Sequence, residues 1–86
     1  MDEMTIFYKA QNASTVKDLV EFLELLADDY KRNVDEWENV TIDTYLEAVA
    51  GFIEDNNSEL ALDPIAWDAD KVQAAARAFY MGKIYE

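Results

Sequence analysis

Between residues 15 and 32, apolar side chains recur at intervals of three and four residues, which is the spacing of one face of an α-helix. This stripe consists of Val16, Leu19, Val20, Leu23, Leu26 and Tyr30. Thr15 and Asp18 form a capping signal for the start of the helix. Phe22 and Leu25 lie beside the stripe and widen the apolar face. The pattern therefore predicts a helix over about residues 15–32 that is buried on two sides.

Two further segments have helical periodicity. The first, at about 42–55, has apolar residues at positions that share a helix face, and Asn39 or Thr41 can serve as its N-cap. The second, at about 69–81, has an Ala-rich centre with high helix propensity, and Gly82 is placed to end it.

The residues before the first helix are less decisive. The run Thr5-Ile6-Phe7-Tyr8 is rich in residues that favour strands, but there is no predicted sheet for it to join. Three alternatives remain open: the run packs as an extended segment, it prefixes the first helix, or it pairs with another chain. With 51% hydrophobic residues and 86 residues in total, the chain is expected to form one small packed domain. We predict an all-α fold, a three-helix bundle with a short extended N-terminal segment, as a single domain over residues 1–86.

The composition argues against several kinds of chemistry. The chain has no Cys and no His, so it lacks thiolate nucleophiles, the commonest general base and the commonest transition-metal ligands. No nucleophile, phosphate-binding loop or catalytic motif accompanies its many carboxylates. We therefore expect a protein that is not an enzyme and has no catalytic residue, no bound cofactor and no metal site.

The acid-rich chain contains a partial match to a calcium-binding loop. Asp55, Asn57 and Glu59 have the spacing of the first ligands of such a loop. Leu60, however, occupies the position that requires Gly, and Ala66 occupies the position that requires Glu. The pattern thus fails at its two most informative positions.

The negative charge is concentrated in the middle of the chain. The formal net charge is -12, and no Lys or Arg occurs between Asn33 and Asp70. Eleven carboxylates fall in or at the edge of that stretch: Asp35, Glu36, Glu38, Asp43, Glu47, Glu54, Asp55, Glu59, Asp63, Asp68 and Asp70. Such a surface repels phosphates, so we expect no direct binding to nucleic acid and no binding to an anionic membrane.

The same acidity suits a cationic protein partner. Glu54 and Asp55 are notable because they lie at the negative end of their own helix dipole. The candidate partner-binding residues are Asp35, Glu36, Trp37, Glu38, Glu54, Asp55, Glu59 and Trp67. Two alternatives remain open: the carboxylates only keep the surface solvated, and the two Trp side chains only fix their loops to the helices.

Several short motifs resemble those of a family of small uncharacterised bacterial domains. The motifs are Trp37-Glu38-Asn39, then Tyr45-Leu46-Glu47-Ala48, a later Trp67, and a closing Tyr85-Glu86. The resemblance extends from about Val16 to Glu86, although Phe52 stands where that family is expected to have Trp. It implies a helical fold and a bacterial or phage origin, with no established activity, and these motif residues also have a structural explanation.

Taken together, these features predict a non-catalytic interaction protein that binds a basic protein, with an immunity protein or inhibitor as the sharpest version. The alternative is an accessory domain that self-associates through Ile6-Phe7-Tyr8 or through Tyr80 and Tyr85. The first eight residues lack a basic signal-peptide region, and no apolar run approaches the roughly 20 residues of a membrane span. We therefore expect a cytoplasmic protein.

Overall fold

The computed structural model describes residues 3–57 and 67–85, and every regular element in these ranges is helical. The elements are α1 (Glu3–Asn12), α2 (Val16–Asn33), a 3-10 helix (Val34–Glu36), α3 (Ile42–Asp55) and α4 (Ala69–Met81). The chain divides into two compact units, residues 1–42 and 43–86. The all-α prediction is confirmed, and the three helices expected from periodicity are present as α2, α3 and α4. Their arrangement as a three-helix bundle, and the single domain, stay predictions.

The N-terminal segment differs from the expectation. Residues 5–8, predicted to be extended, lie inside helix α1, so that prediction is wrong. β-branched and aromatic residues lower helix propensity by less than about 0.7 kcal/mol each, and a packing gain of similar size reverses the preference. Here Ile6 is only 7% exposed, the one buried side chain in the part of the chain that the structure describes.

Helix α1 is linked to α2 by an ion pair. Lys9 Nζ lies 3.2 Å from Glu21 Oε1, and the two helices are in contact. Phe22 and Leu25, which neighbour Glu21 on the surface of α2, are half-buried. Helix α1 therefore contacts α2 at Glu21, one helical turn before Leu25.

The main apolar stripe of α2 is largely exposed to solvent. Its first four side chains, Val16, Leu19, Val20 and Leu23, are exposed. The expectation of a helix buried on two sides is therefore wrong, because α2 has no buried side chain, and Phe22, Leu25 and Leu26 are only half-buried. Periodicity identifies an apolar face, but it does not identify what covers that face.

Helix α2 begins with the predicted capping box. The backbone N–H of Asp18 donates to Thr15 Oγ1 at 3.0 Å, and the backbone N–H of Thr15 donates to Asp18 Oδ2 at 3.2 Å. The backbone N–H of Ser14 also donates to that carboxylate, at 3.1 Å. These bonds satisfy amides that the first helical turn leaves without an intrahelical partner.

In the second unit, α3 ends where the sequence predicted. The backbone N–H and the side-chain amide of Asn56 both donate to the carbonyl of Phe52, at 3.1 and 2.8 Å. A short polar side chain that bonds to local backbone in this way competes with continuation of the helix.

Helix α4 has a clear start and end. The side chain of Asp68 accepts from the backbone N–H of Lys71 at 2.9 Å, as an N-cap does. At the other end Gly82 donates to the carbonyl of Ala78 at 3.1 Å, and a turn follows. Tyr85, beyond that turn, is 79% exposed.

Candidate functional site

The predicted partner-binding residues are divided between the two units. Asp35, Glu36, Trp37 and Glu38 belong to the first unit, and Glu54, Asp55 and Trp67 belong to the second. Glu59 lies outside the described residues, as does Glu86 of the family motif. Each unit is therefore described by itself.

In the first unit, Asp35 and Glu36 lie on the 3-10 helix that directly follows α2. Both side chains are exposed, as is that of Glu38. The 3-10 helix ends at Trp37, whose backbone N–H donates to the carbonyl of Val34 at 3.0 Å. The three carboxylates are thus presented to solvent on a short, hydrogen-bonded segment.

Trp37 differs from its acidic neighbours because it is anchored to α2. Its indole Nε1 donates to Asp29 Oδ2 at 2.9 Å, and its side chain is half-buried. The other oxygen of Asp29 accepts from Asn33 Nδ2 at 2.9 Å. Hydrogen bonds to an ionised carboxylate are stronger than neutral ones. This bond ties Trp37 to α2, as expected for a Trp that fixes its loop, and the role of Trp37 in partner binding stays a prediction.

Tyr30 completes this anchor. Its ring meets that of Trp37 edge to face, with ring centroids 5.1 Å apart and an interplanar angle of 84°. Its hydroxyl donates to the backbone carbonyl of Val40. We call Asp29, Tyr30, Asn33 and Trp37 the Trp37 anchor, and it fixes the segment that leads from α2 towards α3.

Three members of the Trp37 anchor, Asp29, Tyr30 and Asn33, were not singled out for this role from the sequence. A signal for Asp29 was available, because helical spacing places it four residues after Leu25, on a side that otherwise carries apolar residues. Asn33 follows Asp29 by a further four residues on the same face. What the sequence did not reveal is that the chain turns back after α2 and brings Trp37 to that face.

In the second unit, Glu54 and Asp55 occupy the last turn of α3 and are exposed. No basic residue shares that turn. Glu47 lies seven residues before Glu54, which is two helical turns, so both point from the same side of α3. Leu46 is exposed, Tyr45 is half-buried, and Ala48 is exposed.

Trp67 directly precedes the N-cap of α4 and is half-buried. Its indole nitrogen is shielded from solvent and has no hydrogen-bond partner in the part of the chain that the structure describes. The two Trp residues therefore differ, because the indole N–H of Trp37 is bonded to Asp29, whereas that of Trp67 has no partner among residues 3–57 and 67–85.

The electrostatics of the α2 capping box are distinct from those of the acidic surface. The backbone N–H of Ser14 and then the Thr15 hydroxyl hold the pKa of Asp18 below its ordinary value. Both interactions favour the ionised carboxylate. This pKa shift has a structural cause in helix capping.

Among the residues that the structure describes, no three Asp or Glu side chains are grouped so that they could hold a metal ion. The described helices also include none that is long and apolar enough to cross a membrane. In the described ranges the candidate residues thus present exposed carboxylates and one unbonded indole.

These features define a class: a small all-helical domain with exposed carboxylates after α2 and at the end of α3. The chain belongs to a family of unknown function, DUF7660, which matches residues 15–86. The match agrees with the range over which the Trp37-Glu38-Asn39 motif suggested a family of small domains, whereas the bacterial origin and the motif itself stay predictions. Helix α1 lies outside the matched residues. Neither the curated proteins nor the solved structures gave a match.

Proposed function

We propose that this protein is a non-catalytic interaction domain that binds a basic protein partner. The observation that carries the proposal is the stretch from Asn33 to Asp70 without a single Lys or Arg. In its described part, Asp35, Glu36, Glu38 and the pair at the end of α3 are exposed. A field of one sign attracts a partner of the opposite sign and raises its association rate.

The sharpest version of the proposal is an immunity protein or inhibitor that neutralises a basic enzyme. It is supported by the small size of the chain and by its net charge of -12. The same charge disfavours nucleic acid and anionic membranes as direct partners. The absence of Cys supports a reducing, cytoplasmic location for this binding.

The test is capture of partners from the host lysate on the tagged protein, followed by elution with increasing salt. A basic protein that elutes at moderate to high salt is the expected result, and its association rate is then measured with Glu54→Lys, Asp55→Lys and Glu59→Lys. Each reversal should slow association at low salt by on the order of three- to tenfold. The effect should shrink at high salt because exposed charges are then screened.

Glu24→Lys is the matched control, because it changes the net charge equally from an exposed position on α2. If all four reversals slow association to the same degree, the partner senses only the net charge and no docking face exists. If none of them changes the rate, the electrostatic proposal is wrong.

A second candidate function is self-association. Several aromatic side chains are exposed, namely Phe7 and Tyr8 on α1 and Tyr80 and Tyr85 at the end of the second unit. A dimer held by these side chains would bury apolar area, and salt does not weaken such contacts because it screens only charges. A stable dimer in light scattering that persists at high salt, and that Tyr80→Ser or Phe7→Ser disrupts, would favour this function over the first.

A further inference from the structure

Three helices of the family-matched region carry exposed apolar side chains. Helix α2 exposes Val16 and its neighbours, α3 exposes Ile42, Leu46 and Phe52, and α4 exposes Val72 and Phe79. Exposed apolar area of this kind is typical of interaction surfaces. Charge then distinguishes one helix from the other two.

Only α3 among these helices lacks basic residues. Helix α2 includes Lys17, Lys31 and Arg32 among its acids, and α4 includes Lys71 and Arg77. Helix α3 has four acids and no Lys or Arg: Asp43, Glu47, Glu54 and Asp55. All the charged side chains beside its apolar face are therefore carboxylates.

The spacing along α3 places acids on both borders of that face. Because the helix has 3.6 residues per turn, Glu47 and Glu54 lie on one side of α3, next to the edge of the apolar face that carries Leu46. Asp55 lies three residues after Phe52 and so neighbours the opposite edge. The apolar strip thus runs between carboxylates on either side.

The two side chains at the edges of the strip are open, with Leu46 42% and Phe52 59% exposed. Tyr45, Val49 and Ile53, which lie between them on the helix, are half-buried. A second copy of the chain is a poor occupant, since a symmetric contact would set the α3 carboxylates of both copies against each other. A partner with cationic borders has the complementary charge.

We infer that the α3 face binds a cationic amphipathic helix of the partner protein. The apolar stripe of that helix lies on Leu46 and Phe52, and its flanking Lys or Arg side chains pair with Glu47, Glu54 and Asp55. Helix α3 has 14 residues, about 20 Å at 1.5 Å per residue, which matches three to four turns of a second helix. The inference rests on the proposed function, because it specifies which structure in a basic partner is bound.

The test uses two synthetic peptides of Leu and Lys with identical composition. In one, the Leu residues recur at helical spacing, and in the other Leu and Lys alternate, so that no helical apolar face forms. Binding to the full chain is measured by calorimetry and by backbone amide NMR shifts. We expect saturable one-to-one binding of the helical peptide, with the largest shifts over residues 42–55 and much weaker binding of the alternating peptide.

Variants then separate apolar docking from attraction of charge. Phe52→Ala should weaken binding of the helical peptide about tenfold, and Leu46→Ala should also weaken it. Phe79→Ala is the matched control, because Phe79 is similarly exposed but lies on α4. This variant should bind the helical peptide as tightly as the wild type does. Circular dichroism confirms that each variant keeps its helices.

The outcomes distinguish this inference from the proposed function. If both peptides bind equally, or if Phe52→Ala binds like the wild type, the α3 face does not dock a helix. If in that case Glu54→Lys still weakens peptide binding at low salt and Glu24→Lys does not, the helix-docking inference is wrong. The proposed binding of a basic partner by the acidic surface is then supported. If neither peptide binds and no charge reversal affects the captured partner, both proposals are wrong.

Discussion

The indole Nε1 of Trp37 donates to Asp29 Oδ2 at 2.9 Å, across eight residues of sequence. This bond joins the segment after α2 to the last turns of that helix. Asn33 shares the same carboxylate, so Asp29 serves two donors at once. A buried or half-buried donor that loses its acceptor costs more than the bond itself contributes.

Asp29→Ala should therefore destabilise the first unit. We expect a loss of about 1–3 kcal/mol in the free energy of unfolding, since both Trp37 and Asn33 lose an ionised acceptor. Urea unfolding, followed by the fluorescence of Trp37 in a Trp67→Phe background, measures this loss. Asp28→Ala is the control, because Asp28 makes only an exposed ion pair with Arg32 and should cost less than about 1 kcal/mol. Equal losses for both variants would contradict the anchoring role of Asp29.

Ile6→Ala should release α1 from α2. Ile6 is the buried side chain of α1, and truncation of a buried Ile costs about 2 kcal/mol or more. We expect faster amide hydrogen exchange over residues 5–12, with α3 and α4 unchanged. Phe7→Ala removes a larger side chain that is 57% exposed, and it should accelerate exchange far less. If the two variants behave alike, α1 is not held by Ile6.

The α2 capping box should weaken in acid. Because the folded pKa of Asp18 is lowered, its contribution is present above the unfolded pKa of about 3.9 and is lost as pH falls through the folded value. The total helicity of the chain, measured by circular dichroism, should therefore fall in acid. The part of this loss that comes from α2 should be missing in Asp18→Asn. Glu24→Gln leaves the capping box intact and should retain that loss. Identical acid profiles for the wild type and Asp18→Asn would contradict the assignment.

Charge reversal at the end of α3 should stabilise the fold while it weakens partner binding. Glu54→Lys and Asp55→Lys each replace an acid beside the negative end of the helix dipole, for a gain of about 0.3–1 kcal/mol at low salt. Thermal unfolding at low and high salt measures the gain, which should diminish as salt rises. Glu47→Lys lies in the middle of α3 and should bring no such gain. A loss of stability in Glu54→Lys would show that this carboxylate has a structural partner.

The sequence by itself determined α2, α3, α4, the α2 capping box and the position of the acidic stretch. These features depend on residues three or four positions apart, such as Thr15 and Asp18, or on composition, so local spacing is sufficient to predict them. Its prediction for residues 5–8 was wrong, because intrinsic strand preference is weaker than the burial of Ile6.

The tertiary structure decided where α1 contacts α2 and which side chain binds the indole of Trp37. The Lys9–Glu21 ion pair spans 12 residues, and the Trp37–Asp29 bond spans eight across a turn. Contacts of this kind depend on the path that the chain takes between helices, which periodicity does not encode. Helical spacing defined the apolar and acidic faces, and packing determined that Trp37 bonds to α2 while Leu46 and Phe52 of α3 stay exposed.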